Sequence, residues 1–248
     1  MILIFDYFET LVNNCSIDFN RGLKPLWEKH YRDKCDFDDI KKYGEELFRV
    51  LQEYHRDGRE FPFVKEELPL YAKRYGGDVI TMNAEEEADF LMLCNDMEPV
   101  PGIQELLAEC EAENIPMYVL SNSGFTAGAL WTALNRLGIG QYFKRVWSSA
   151  DFGRIKPYKA LYDMAFAEVF RDNPDASKDD ILFVGDLYAT DIVGAHNAGI
   201  KAVWINRKGE PDTDGYATYE IAETRELGGI IKEIRTQEHD RNGRNQRN

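Results

Sequence analysis

The run Ile181-Leu182-Phe183-Val184-Gly185-Asp186-Leu187-Tyr188-Ala189-Thr190-Asp191-Ile192 joins an unbroken apolar stretch to two carboxylates five residues apart. Continuous apolarity over four residues suits a strand covered on both faces, as in a parallel sheet. Gly194, Ala195, Ala198 and Gly199 follow, small residues that let a helix lie close to that sheet. The pattern predicts a strand, a turn bearing Asp186 and Asp191, and a helix from Ile192 to Ala198. Two carboxylates around one strand-to-helix turn can face a single pocket, where they bind a cation, share a proton or stand in solvent.

The same grammar recurs on either side. Ile2-Leu3-Ile4-Phe5 runs into Asp6, Met117-Tyr118-Val119-Leu120 into Ser121-Asn122, and Ala202-Val203-Trp204-Ile205 into Asn206. Between these runs lie helical patterns: Ile103, Leu106, Leu107 and Cys110 share one stripe, and Ala127 to Leu137 and Lys159 to Phe170 read likewise. Strand–helix alternation of this kind predicts an α/β fold, a Rossmann-like doubly wound parallel sheet, with ligands beyond the C-terminal strand ends. Residues 14–95 break the rhythm. They are charged, aromatic and helical, with Ile40, Tyr43, Leu47, Leu51 and Tyr54 on one stripe and Asp38 and Asp39 as cap candidates before it. No convincing buried strand is read there, so an α-helical insertion follows the first strand. The core is expected over 1–13 and 96–235, and the apolar-free residues 236–248 are expected to be disordered.

Composition narrows the function classes. At 248 residues the chain suits one or two domains, and 44% hydrophobic with 30% charged residues indicates a globular rather than a disordered protein. A net charge of −14 repels phosphate backbones and anionic lipid, so neither a nucleic-acid nor a membrane partner is expected. The N-terminal MILIFDYFE has no basic leader and no run reaches membrane-spanning length, which points to the cytoplasm. Cys15, Cys35, Cys94 and Cys110 show no Cys-x-x-Cys spacing and read as buried reduced thiols, not a zinc site. His30, His55, His196 and His239 share no ligand spacing, which argues against a histidine-built metal site or triad. Gly138-Ile139-Gly140 follows a helix and reads as its stop rather than as a dinucleotide loop.

Four polar elements remain: Asp6 in IFDYFETL, Ser121-Asn122, Lys156 in Arg154-Ile155-Lys156-Pro157, and Gly185-Asp186 with Asp191. Singly, the first three read as a turn former, a helix cap and a solvated lysine. In this order, at strand ends or the loops beyond them, they resemble the haloacid dehalogenase-like superfamily. GDLYATDIVGAHNAGIKAVWIN is similar to that family's fourth motif and the strand beyond it, and the insertion at 14–95 sits where many members carry a helical cap. The resemblance implies that Asp6 is a nucleophile forming an aspartyl intermediate. It implies Mg²⁺ held by Asp6, the backbone carbonyl of Phe8 and Asp186, with Asp191 as ligand or water-mediated partner. Ser121 and Lys156 would hold phosphoryl oxygens, with Asn122 as a further substrate-binding candidate, and Lys156 would offset the crowded carboxylates.

Phe8 departs from the family pattern. Phosphatases of the family usually place a second Asp two residues after the nucleophile, to protonate the leaving group and activate water. Losing a general acid–base costs about 10²–10⁴-fold, so ordinary alkyl phosphates are expected to turn over slowly. Glu9 is one residue late for that role and suits a turn, while Tyr7 suits packing. The expected activity is Mg²⁺-dependent hydrolysis of a small phosphorylated metabolite. The alternatives are a haloacid dehalogenase, whose halide leaves without a proton; a phosphonate-cleaving hydrolase using a cap lysine (Lys24, Lys29, Lys34, Lys41 or Lys42); and a non-catalytic binding protein on the same fold.

Overall fold

A computed structural model describes residues 1–245, with side chains as far as Gln237. The chain opens with β1 (Ile2–Phe5), then leaves the sheet along a two-stranded antiparallel ribbon, β2 (Val12–Ile17) paired with β3 (Asn95–Pro99). Four helices lie between the ribbon strands: α1 (Phe19–His30), α2 (Phe37–Arg56), α3 (Leu68–Tyr75) and α4 (Ala84–Cys94). The ribbon straddles both expected boundaries of the insertion. Its polar, largely exposed sequence Val-Asn-Asn-Cys-Ser-Ile carries no buried-strand signal.

After β3 the strands and helices alternate: α5 (Ile103–Ala112), β4 (Met117–Ser121), α6 (Ala127–Arg136), β5 (Arg145–Ser148), the short α7 (Ser149–Phe152), α8 (Lys159–Asp172), β6 (Ile181–Gly185), α9 (Val193–Ala198), β7 (Lys201–Ile205), β8 (Tyr219–Ile221) and α10 (Leu227–Asn245). The six core strands form one sheet, in the order β5-β4-β1-β6-β7-β8, and every pair is parallel. The expected doubly wound α/β core is borne out. All four apolar runs read from the sequence are strands of this sheet.

Alternation of side chains along the strands splits the core in two. Leu3, Phe5, Val119, Leu182 and Val184 face one side, where α5, α6, α10 and the insertion pack through Leu106, Leu130, Leu227 and Leu23. Ile2, Ile4, Tyr118, Ile181 and Phe183 face the other, under α8 and α9 with Leu161, Ala165, Ala195 and Ala198. Burial on both faces is why these strands are apolar without alternation. Close packing of α9 needs Gly194, since a Cβ there would collide with the Tyr162 hydroxyl. The chain runs from β1 outward to β4 and β5 and then crosses back to β6 on the other side of β1, so the C-terminal end of β1 opens a crevice at the switch of strand order.

Three local expectations are corrected, the first being burial of all four cysteines: Cys15 is exposed and Cys35 only partly buried. Helix α2 starts at Phe37 with Asp36 at its N-cap, so Asp38 and Asp39 stand inside the first turn, where their charge favours the helix dipole rather than capping it. Helix α10 runs through Asn245, past the expected start of disorder at 236. Bonds from Thr236 Oγ1 to the Lys232 carbonyl (2.8 Å) and from Gln237 to Glu233 (3.0 Å) support it where it passes that point. Residues 246–248 of the expected disordered tail lie outside the described residues. No helix among the described residues is long and apolar enough to cross a membrane.

Candidate active site

Asp6 follows the central strand β1, and its backbone N–H donates to the Val184 carbonyl at 2.8 Å, which ties it to the end of β6. Ser121 ends β4 and is fully buried. Lys156 comes from the loop between α7 and α8 and is 1% exposed, so it is no solvated lysine. Its Nζ lies 2.5 Å from Asp6 Oδ1, 2.8 Å from Asp191 Oδ1 and 2.9 Å from the Leu120 carbonyl. Asp186 precedes the π-helical turn Tyr188–Ile192 that leads into α9, and Asp191 lies within it. Gly185 permits that turn to fold back: a Cβ there would collide with the Asp191 carboxylate. The Leu187 N–H donates to Asp191 Oδ2 at 3.0 Å, and the Trp204 indole N–H donates to the Asp186 carbonyl at 2.9 Å.

One carboxylate oxygen from each of Asp6, Asp186 and Asp191 lies within 4.8 Å of the others. Three hard oxygen donors so placed suit a divalent cation such as Mg²⁺. The electrostatics show what that crowding costs. Burial pushes the Asp6 carboxyl up to about 7; Lys156 opposes the rise and Asp191 adds to it. Burial, with Asp191 beside it, raises Asp186 to about 6. Burial alone would lower the Lys156 pKa, but Asp191 and Asp6 outweigh it and the net direction is up, so its ammonium stays charged.

The remaining candidates sort by what they touch. The Asn122 side chain is occupied by the Lys156 backbone: Oδ1 accepts the Lys156 N–H at 2.7 Å and Nδ2 donates to the Lys156 carbonyl at 3.2 Å. It braces the lysine loop rather than offering a free amide to substrate. The Phe8 ring lies 4.6 Å from that of Tyr7 and packs at the edge of the core. Tyr7 is fully buried with its hydroxyl donating to the Leu130 carbonyl, which is a packing role. Glu9 adopts φ 56°, and its carboxylate accepts the Asn14 N–H at 3.0 Å, which holds it in the turn.

Two buried carboxylates of the insertion reach the core: Glu60 the start of α7 after β5, and Glu87 the loop after β4. Glu60 accepts the Ser149 hydroxyl, and Glu87 accepts both the N–H (3.0 Å) and the hydroxyl of Thr126. Nothing in the sequence reading singled them out. A glutamate amid the aromatic run Arg59-Glu60-Phe61-Pro62-Phe63 is the signal that was there to find.

Residues 4–205 match the family described as haloacid dehalogenase-like hydrolase. The chain is 33% identical to the pyrimidine 5'-nucleotidase YjjG of Escherichia coli K12 over 134 residues, 54% of this chain and 56% of that protein. It is 26% identical to the glyceraldehyde 3-phosphate phosphatase of Pyrococcus furiosus over 241 residues, 93% of this chain and 92% of that one. Matches to the nucleotidase and to the putative hydrolase YfnB of Bacillus subtilis span about half the length of those relatives (56% and 54%). Among solved structures, a 2-haloacid dehalogenase from Pseudomonas syringae superposes with a TM-score of 0.65 at 22% identity, over 94% of this chain and 100% of that one. Magnesium-bound YfnB superposes with a TM-score of 0.58 at 23% identity, over 93% and 97%. At such identities these two likenesses are of fold.

Proposed function

This chain belongs to the haloacid dehalogenase-like hydrolases, and from that premise we propose that it is a Mg²⁺-dependent phosphatase of a small phosphorylated metabolite, with Asp6 as nucleophile. The observation that carries the reading is the cluster of Asp6, Asp186 and Asp191 around the buried ammonium of Lys156. Three carboxylates and one lysine leave the site net negative, which repels a phosphate dianion unless a cation joins them. Asp6, Asp186, Asp191 and the Phe8 carbonyl would hold Mg²⁺, which supplies charge neutralisation of the phosphoryl oxygens when bound. The nucleotidase and sugar-phosphate phosphatase among the relatives support a phosphorylated small molecule as substrate.

In this reading an Asp6 carboxylate oxygen attacks phosphorus, the P–O bond to the leaving group breaks, and water later cleaves the aspartyl-phosphate to restore Asp6. Lys156 partners Asp6 at rest and neutralises phosphoryl charge as the displacement proceeds. Ser121 faces the same strand-end crevice and would donate to a phosphoryl oxygen. Phe8 cannot protonate the departing oxygen, so leaving groups that are weak bases are favoured. The helices of the insertion serve as the cap.

Phe8 also favours a second reading, halide displacement, which needs no proton donor. The carboxylate cluster has no task in that reaction. Release of p-nitrophenol from p-nitrophenyl phosphate, with Mg²⁺ and with chelator, separates the two because that leaving group needs little protonation. Mg²⁺-dependent turnover that vanishes in Asp6→Asn is the expected result. Chloride release from a 2-haloacid without phosphate ester turnover would replace the phosphatase by the dehalogenase.

A further inference from the structure

Glu60 comes from the insertion, yet it lies 1% exposed against the core. Its Oε1 accepts the Phe61 N–H at 2.9 Å and faces His55 Nε2 at 3.0 Å, and its Oε2 accepts the Ser149 hydroxyl at 2.5 Å. The same segment is seated by backbone bonds from Glu60 N–H to the Gly153 carbonyl (3.2 Å) and from Phe63 N–H to the Gly124 carbonyl (2.8 Å). A carboxylate withdrawn from water needs such donors, and here they are supplied in full.

Ser149 has one hydroxyl hydrogen and two acceptors in reach, Glu60 Oε2 at 2.5 Å and the Ser123 carbonyl at 3.2 Å. The charged and nearer acceptor takes it. That choice turns the oxygen lone pairs toward the Ser123 N–H, which donates to Ser149 Oγ at 2.8 Å. Ser123 adjoins Asn122, whose side chain grips the Lys156 backbone in both directions, and Lys156 Nζ reaches Asp6. An unbroken hydrogen-bonded and covalent path therefore runs from Glu60 through Ser149, Ser123, Asn122 and Lys156 to the nucleophile.

We propose that Glu60 is a positioning residue for the turn Ser121–Ser123. Seated in the core, it orients the Ser149 hydroxyl, which fixes the Ser123 amide and through it the placement of Ser121 and the Lys156 loop. The insertion thus shapes the floor of the site as well as covering it. The catalytic consequence rests on the phosphatase reading; the orientation of the turn does not.

Adjacency along a path is not coupling, so the test is a double-mutant cycle. Glu60→Gln, which keeps side-chain volume, Ser149→Ala, which removes one oxygen, and the double variant are made in the full chain. For p-nitrophenyl phosphate with Mg²⁺, each single change is expected to lower kcat/KM about three- to thirtyfold, the span of measured couplings through such networks. Inhibition by inorganic phosphate is expected to weaken in parallel. The double variant is expected to match Ser149→Ala to within about twofold, because both changes cut one path.

Single variants with lower Tm but unaltered kcat/KM and phosphate inhibition overturn the proposal, as do losses that multiply in the double variant. Amide hydrogen exchange over residues 121–126 gives a readout independent of turnover, and it is expected to quicken in both single variants while β1 stays protected. If the wild type shows no Asp6-dependent turnover, the phosphatase reading falls and exchange alone decides. Unchanged protection at Ser123 then overturns the positioning role. If Glu60→Gln does not fold, Ser149→Ala carries both readouts.

Discussion

Replacing Glu67 by Gln should make the protein more stable, by a margin that opens above about pH 4.5 and is fully developed above about pH 7. Helices α1 and α2 and the turn before α3 enclose a cavity of about 460 Å³ whose lining includes Phe19, Leu23, Phe48, Leu51, Glu67 and Tyr71. None of the carboxylate cluster around Asp6 lines it. Burial among these apolar walls pushes the Glu67 carboxyl from 4.5 up to about 7, and the Tyr71 hydroxyl offsets only part of that rise. A carboxyl with a raised folded-state pKa keeps its proton in the folded chain after the unfolded chain has released it. Below about pH 4.5 both states are protonated and the group is neutral to stability. As pH climbs from 4.5 toward 7 the unfolded chain ionises while the folded chain keeps its proton, so stability falls, and the loss levels off above about 7, where both states carry the charge. The shift of about 2.5 units corresponds to roughly 3 kcal/mol at 1.36 kcal/mol per unit. That figure is a ceiling, because the residue as a whole is only half-buried. In a chain of this size about 3 kcal/mol moves Tm by roughly 6–12 °C. Glutamine keeps the volume, so the variant removes the titration with little else. Urea melts of wild type and Glu67→Gln at pH 4.5, 6 and 8 read the difference directly, since every other titrating group cancels. The stability gap should open with rising pH and be near zero at 4.5. Parallel melts across the range would refute the buried-charge account.

Two further outcomes concern the site itself. Lys156→Ala should lower kcat/KM for p-nitrophenyl phosphate by about 10²-fold or more and weaken inhibition by phosphate, as expected for a preorganised cation removed from developing charge; wild-type kinetics would dismiss its role. Phe8→Asp should raise turnover of alkyl phosphates by about 10²-fold while changing p-nitrophenyl phosphate little, because only the former needs a proton donor. No selective gain would mean that the pocket at position 8 has been rebuilt for other chemistry.

The central strands were legible because burial on both faces leaves a continuous apolar run, as in Ile2–Phe5 and Ile181–Gly185. The edge strands β5 and β8 were not, since Arg-Val-Trp-Ser and Tyr-Glu-Ile are short, mixed and one-sided. The same division holds in the site. Asp6, Ser121, Lys156, Asp186 and Asp191 stand at strand ends or in the loops that follow, so their order along the chain discloses their convergence. Which way Asn122 turns was not legible, because the Lys156 backbone that holds it is 34 residues away. Glu60 and Glu87 were not singled out in the sequence, and only the tertiary fold buries them against Ser149 and Thr126.

Local rules of stability fail most plainly where the chemistry is placed. A fold seeking only stability would not gather Asp6, Asp186 and Asp191 within 4.8 Å of one another in a largely dehydrated crevice, with a single lysine between two of them. Burial, with repulsion from Asp191 added to it, raises the Asp6 and Asp186 pKa values, so part of the folding energy is spent in holding these acids together away from water. Elsewhere the buried charges are treated differently. Glu60 and Glu87 each receive several donors and face no neighbouring carboxylate in those contacts, which is what satisfied structural groups require. The contrast separates the two kinds of buried acid by physics alone. Glu87 braces the loop after β4 and Glu60 the start of α7, whereas the acids crowded around Lys156 mark the place where a cation and an anionic substrate would relieve the strain.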